Sequence, residues 1–135
     1  MSSKKIALDS GVVIALGDLT DVHHEMALSA VAAARGPDGV FVVSAITYCE
    51  AMVVAARLGR RQLDAAVRLL QDLCQTTIEV NGEIGIAAAK LRGKHAWLTT
   101  TDALIVASAD EFGATELLTT DRRLARLKIA KYVGA

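Results

Sequence analysis

Five short aliphatic runs, at residues 5–8, 40–43, 76–80, 114–120 and 132–133, are separated by longer stretches whose apolar residues recur at helical spacing. This alternation constrains the fold more than any other feature of the chain. Strands separated by helices pair in parallel through crossover connections, and the helices then cover both faces of the sheet. The expected fold class is therefore α/β, a three-layer α/β/α sandwich around a central parallel sheet. At 135 residues the chain has the size of a single domain, residues 1–135, with an adequate core and no need of disulfide or zinc staples. No repeat, linker or low-complexity stretch divides it.

Local signals set the helix limits. Asp9-Ser10-Gly11 is a turn that can cap a helix over 12–16, and a second helix over 21–35 stops at Gly36-Pro37-Asp38-Gly39. Ser44 can cap a helix running to Leu58. Gly59 ends it, and a further helix over 60–74, with Leu63, Val67, Leu70 and Leu73 on one side, should complete a helical hairpin. Helices are also expected over 84–91 and 101–112, the latter with a Thr cap and Gly113 as its stop, and a short basic helix after Asp121. Met26, Met52 and the Ala–Val faces of 26–34 and 52–56 read as core. If the early helices instead expose an apolar groove, that groove is a docking surface for a partner's helix.

Composition narrows the class of function. Apolar residues make up 53% of the chain but aromatics only 4%, too few for the sheet-borne platforms on which RRM and OB folds stack bases. The 15 basic and 15 acidic residues cancel, so no bulk positive field marks a nucleic-acid coat protein. Cys49 and Cys74, each in an apolar helical stretch, read as buried thiols in a reducing compartment. The apolar run after Met-Ser-Ser-Lys-Lys is broken at Asp9, too early for a signal peptide, and no stretch nears the roughly 20 uncharged residues of a membrane span. A cytoplasmic protein without a membrane partner is expected.

The chemistry rests on four carboxylates. Asp9, Asp102 and Asp121 sit at or near helix starts, where a carboxylate accepts free backbone N–H groups, so capping explains each of them singly. Glu50 is harder to explain that way: Ile46, Val53 and Val54 lie three or four positions from it, which sets it on the apolar stripe of its helix, with Arg57 as a possible ion-pair partner. Taken together, Asp9 and Asp121 both follow strands and emerge at the carboxyl ends of a parallel sheet, where ligand crevices form in open α/β folds, and Asp102 opens a helix at the same rim. Four converging acids repel by roughly 4 kcal/mol per adjacent pair at an effective dielectric near 20, and a cation is needed to stabilise them. Oxygen-only ligands select hard ions such as Mg²⁺ or Mn²⁺, whose natural chemistry is phosphodiester hydrolysis by an activated water.

Four segments carry a resemblance: Leu-Asp-Ser-Gly-Val-Val-Ile-Ala-Leu (8–16), Ser-Ala-Ile-Thr-Tyr-Cys-Glu (44–50), Thr-Asp-Ala-Leu-Ile-Val-Ala-Ser-Ala (101–109) and Gly-Ala-Thr-Glu-Leu-Leu-Thr-Thr-Asp (113–121). Together they resemble the four blocks of PIN-domain nucleases, and their order within a chain of this length is similar to the VapC-type toxins of toxin–antitoxin pairs. The resemblance implies a PIN-like fold in which Asp9, Glu50, Asp102 and Asp121 bind Mg²⁺ or Mn²⁺, with Ser10 and Thr119 in support. It also implies endoribonuclease cleavage of tRNA, rRNA or mRNA, a homodimer, and a VapB-like antitoxin whose C-terminal segment blocks the site. Gly11 and the Tyr48-Cys49 pair depart mildly from the pattern, Tyr48 at a place that bears on the dimer or antitoxin surface.

Several basic and aromatic residues admit two readings. Arg57, Arg60 and Arg61 at the helix hairpin, and Lys90, Arg92 and Lys94 at another helix end, either hold RNA phosphates or are solvated helix ends. Between 122 and 131, Arg122, Arg123, Arg126, Lys128 and Lys131 are basic and none is acidic, which suits RNA, an acidic antitoxin segment or simple exposure. Trp97 is a core or interface anchor, or a base-stacking ring. His23, His24 and His95 lack Cys partners and read as solvated or capping, not as Zn²⁺ ligands. A phosphatase of the type that starts with an Asp after its first strand and needs a second Asp two residues on is disfavoured by Gly11, and no Gly-rich phosphate or dinucleotide loop occurs. The rival functions are a catalytically inactive PIN-like scaffold and a housekeeping RNA-processing nuclease without an antitoxin.

Overall fold

The strands alternate, and that alternation builds the layers. In the computed structural model, which describes residues 4–135, β1 (Lys4–Leu8) buries Ile6 and Leu8 in one core and Ala7 in the other. β2 (Gly39–Ser44) divides likewise, with Phe41 and Val43 beside Ile6 and Val42 beside Ala7. Two cores on two faces follow from a side-chain period of two in strands covered on both sides. The Met-Ser-Ser that precedes the run weighed as a leader, residues 1–3, lies outside the described residues.

Along the chain, β1 is followed by α1 (Ser10–Gly17), α2 (His24–Arg35), β2, α3 (Ala45–Leu58), α4 (Arg60–Leu73), β3 (Cys74–Ile78), α5 (Gly82–Lys94), α6 (Thr100–Glu111), β4 (Glu116–Thr119), a 3₁₀ turn (Leu124–Arg126) and β5 (Ala130–Tyr132). The sheet order is β3-β2-β1-β4-β5, with every neighbouring pair parallel. The chain thus builds outward from β1 through β2 to β3, then crosses to the other side of β1 to lay down β4 and β5. The order reverses between β1 and β4, so a crevice opens at the carboxyl ends of these two strands. Helices α1 to α4 cover the face with Ile6, Leu8 and Leu118. Helices α5 and α6 cover the face with Ala7 and Leu117.

The parallel α/β sandwich is as the alternation requires, and all five strands form, but some boundaries and environments differ. β3 starts at Cys74 because that residue takes up extended backbone and pairs with Phe41, which ends α4 one residue earlier. The basic stretch after Asp121 is no α-helix. Leu124 and Leu127, three apart, are both buried against the α6 core, and a 3₁₀ turn places such a pair on one side. The expected core faces of α2 and α3 are core only in part: Ala27 and Val31 are buried and Met52 packs against the core, but Met26 and Val54 are 53% and 54% exposed. On α3 only Thr47 and Ala51, one turn apart, are buried. Cys49, two residues from each, therefore points away from the packed stripe and is exposed, whereas Cys74 is buried and its thiol is pushed up to about 12 by burial. His24 is buried, not solvated, and its Nδ1–H donates to Ala15 O at 2.6 Å near the carboxyl end of α1.

Candidate active site

β1 delivers Asp9 to the crevice. Its backbone N–H still donates to Leu118 O of β4 (2.9 Å), and its side chain caps α1, with Oδ1 accepting from Ser10 N at 2.8 Å. Oδ2 accepts from Thr119 Oγ1 at 2.7 Å. Asp9 is only 6% exposed. Burial pushes its carboxyl above the ordinary range against the pull of the Thr119 and Ser10 hydrogen bonds, and the charges of Asp102 and Glu50 push it further the same way. Capping alone accounts for one oxygen of Asp9. It does not account for three acids sharing one crevice.

Glu50 comes from the second turn of α3, a helix capped by Ser44 Oγ, which accepts from Ile46 N at 3.1 Å. Ser10 Oγ donates to Glu50 Oε1 at 3.0 Å, so the residue after Asp9 ties the two acids together. Among the described residues the ion pairs are Lys4–Glu116 and Arg123–Asp121, which leaves Glu50 unpaired with Arg57. Asp102 stands in the first turn of α6. The cap of that helix is Thr99, whose Oγ1 accepts from Asp102 N at 3.1 Å, so the Asp102 carboxylate is not needed there.

Asp121 is placed differently. Its backbone N–H donates to Thr119 Oγ1 at 3.0 Å, while its Oδ1 accepts from Arg123 N at 2.9 Å and lies 3.9 Å from Arg123 Nε. Thr119 thus holds both ends of the crevice, donating to Asp9 and accepting from the Asp121 turn, and it is fully buried. The Asp121 carboxylate itself is engaged by its own turn. Gly11 suits the same turn: a Cβ on it would collide with Thr120 Oγ1 unless that hydroxyl turned aside, so α1 starts this close to the end of β4 most easily without a side chain.

Of the basic candidates, Arg57, Arg60 and Arg61 are exposed around the α3–α4 turn. Arg122 lies 4.3 Å from the centre of the Tyr132 ring and donates to Ala135 O at 3.2 Å. Arg92 braces the loop into α6, donating to Leu98 O and Thr100 Oγ1, both at 3.0 Å. That role is invisible in the sequence, where a basic residue in a last turn already has a sufficient explanation. Tyr48 is half-buried against the core beneath α3.

Among the described residues, no three His, Cys, Asp or Glu side chains already stand as a metal-holding group. The donor chemistry nevertheless fits a hard cation: oxygen ligands only, a buried Asp9, and two further carboxylates whose charges it feels. A second feature lies alongside. Between α1, α3 and α4 runs a groove of about 520 Å³ lined by Val13, Ile14, Met52, Val54, Leu58 and Leu69, among others.

A parallel α/β domain with an acidic crevice at its switch point is the class that fold and site define. The chain belongs to the PIN domain family, whose model matches residues 6–130. No curated protein sequence matches it significantly. Among solved structures, it is similar to VapC20 of Mycobacterium tuberculosis, a sarcin-ricin loop cleaving toxin, at 21% identity over 92% of this chain and 95% of that one, with a TM-score of 0.74. A toxin–antitoxin complex from Klebsiella pneumoniae gives 24% identity over 93% and 95%, with a TM-score of 0.74. VapBC2 from Rickettsia felis, bound to a DNA fragment from its promoter, gives 12% identity over 95% and 98%, with a TM-score of 0.76. At these identities the likeness is one of fold. Among the described residues no helix is long and apolar enough to cross a membrane.

Proposed function

We propose that this protein is a Mg²⁺- or Mn²⁺-dependent endoribonuclease of the cytoplasm, acting as the toxin of a toxin–antitoxin pair. The observation that carries this reading is the buried Asp9 at the sheet's switch point, held by Thr119 and joined through Ser10 to Glu50, with the charge of Asp102 from the first turn of α6 acting on it. Asp9, Glu50, Asp102 and Asp121 are the ligands in this reading. When bound, the ion supplies positive charge for the scissile phosphate and acidifies the attacking water. Ser10 and Thr119 fix the directions of Glu50 and Asp9 through the hydrogen bonds they donate. A carboxylate left free on the crevice side orients the attacking water or accepts its proton.

The substrate is RNA, drawn to exposed guanidinium groups: Arg57, Arg60 and Arg61 on one side, Arg122 and Arg123 beside Asp121 on the other. The groove between α1, α3 and α4 receives a helix of a VapB-like antitoxin, since its lining is mostly aliphatic with Asp18 and Gln62 among it, and an amphipathic helix is its natural complement. The active unit is a homodimer. Purified protein freed of partner, incubated with total RNA and Mg²⁺ or Mn²⁺, should make discrete cuts that a chelator, Asp9→Asn and Glu50→Gln each abolish. Folded protein that cuts no RNA with either metal overturns the nuclease reading. Harmless overexpression of a cutting enzyme overturns the toxin reading.

A further inference from the structure

Two arginines of the basic stretch lie over aromatic rings, and they are held very differently. Arg122 is 4.3 Å from the Tyr132 ring and is locked there by its hydrogen bond to Ala135 O, an oxygen that also accepts from the Tyr132 hydroxyl at 2.6 Å. Arg126 is 5.7 Å from the centre of the Trp97 ring, near the outer limit of cation–π attraction at about 6 Å. It is exposed, and no hydrogen bond of its side chain is found among the described residues. Its guanidinium is free to leave the ring.

The ring itself is not free to move. Trp97 lies in the short loop between α5 and α6, where His95 N donates to Leu91 O (2.9 Å) and Leu98 N to His95 O (3.0 Å). Arg92 reaches across to Leu98 O and Thr100 Oγ1, and Leu98 is buried. Trp97 rests one side on the α6 core, takes the His95 ring edge-on at 5.9 Å, and remains half-exposed. An indole packed on one side, partly open on the other and covered by a cation with no side-chain hydrogen bond among the described residues is organised to accept a flat partner at little entropic cost.

Its place in the fold says which partner. The loop that holds Trp97 runs directly into the first turn of α6, which carries Asp102, and the turn that holds Arg126 follows Asp121. An aromatic ring and a guanidinium, in contact with each other, therefore stand on the two segments that carry Asp102 and Asp121, each five residues along the chain from its acid. We propose that Trp97 and Arg126 form a stacking site for one unpaired nucleobase of a single-stranded RNA next to the cut, with Trp97 taking the base and Arg126 moving to a neighbouring phosphate. This rests on the ribonuclease reading for the identity of the ligand. Duplex RNA is excluded from the site, because its bases are already stacked and paired.

Trp97 is the only tryptophan of the chain, so the site reports on itself. Intrinsic fluorescence should be followed while unmodified protein, held in chelator to stop any cleavage, is titrated with the single-stranded hexamers rA6, rU6 and rC6 and with a dodecamer RNA duplex. Saturable quenching by at least one hexamer and none by the duplex is expected. Trp97→Ala should weaken hexamer binding, followed by anisotropy of a labelled strand, by about 5- to 100-fold, the range for loss of one stacked base. Trp97→Phe should restore most of it. In cleavage assays Trp97→Ala should raise KM and shift the cut positions with kcat little changed. Cleavage without quenching, with cut positions and KM unaltered in Trp97→Ala, overturns this inference and leaves the nuclease standing. Quenching without cleavage under any metal leaves the base site and removes the nuclease. If Trp97→Ala does not fold, the titration of the unmodified protein decides alone.

Discussion

The two helical layers of this domain are built from similar residues and packed to different extents. On the α5/α6 side, α6 buries Ala103 and every residue from Ile105 to Ala109. On the other side, α3 buries only Thr47 and Ala51, and α4 only Leu70. Val53, Val54, Leu58 and Leu69 stay exposed. Burying an aliphatic side chain stabilises by about 1.5–3 kcal/mol, so leaving several of them in water on neighbouring helices is a cost the isolated chain carries. The layer with the exposed face also lends Glu50 to the acidic crevice, whereas Asp102 comes from α6, the most thoroughly buried helix of the other layer. One layer encloses most of α6, and the other carries Glu50 beside an apolar groove.

The contrast is tested most strongly in the packed layer. Ile105→Ala should destabilise by about 2–5 kcal/mol in denaturant unfolding, since a fully enclosed side chain leaves a cavity. A much smaller loss would mean that α6 is not the closed side. Next in size, Val54→Asp on the open layer should weaken antitoxin binding by about 1–2 kcal/mol in calorimetry while changing stability by no more than about 0.5 kcal/mol. Equal losses in both would make the groove ordinary core.

A pH effect links the two layers through Asp9, whose carboxyl both of them raise. Because burial lifts it above the ordinary 3.8, the folded chain keeps this proton to higher pH than the unfolded chain does. Stability therefore falls as pH rises through the folded-state value, and Asp9 makes no difference well below 3.8. In chelator, the melting temperature of Asp9→Asn relative to the parent should rise between pH 3.5 and pH 7. A difference that shrinks with pH would show that Asp9 is not strained by its surroundings. The smallest effect expected is that of Gly11→Ala, about 1 kcal/mol or less if Thr120 rotates its hydroxyl aside, and Thr120→Val, which cannot yield a slim Oγ1, should not relieve it.

What was legible in the sequence follows the same division. The strands could be read because a strand buried on both faces is a continuous aliphatic run, and the acids could be read because two of them stand just after such a run and a third opens a helix. Burial on the α3 side could not be read. Apolarity says that a residue prefers to be covered, not that this chain covers it, and so Met26, Val54 and Cys49 were assigned to a core that leaves them out. The start of β3 is not legible because Cys74 and Gln75 carry no strand pattern: Cys74 is drawn in by pairing with Phe41, and Gln75 lies at the register shift that follows. In the site, the hydrogen bonds of Ser10 and Thr119 depend on contacts between residues 40 and 110 positions apart. Local pattern holds no trace of such contacts, and only the likeness to a known set of four blocks pointed to these two residues. The engagement of Asp121 by Arg123 is local, yet an acid two residues before an arginine has many possible conformations.

The most direct measurement is calorimetric titration of Mn²⁺ into partner-free protein at neutral pH, beside Asp9→Asn and Asp102→Asn. Saturable binding that either substitution removes, with both variants still folded, is the expected result. No binding, or binding that survives both substitutions, would contradict a metal-dependent centre built on these carboxylates.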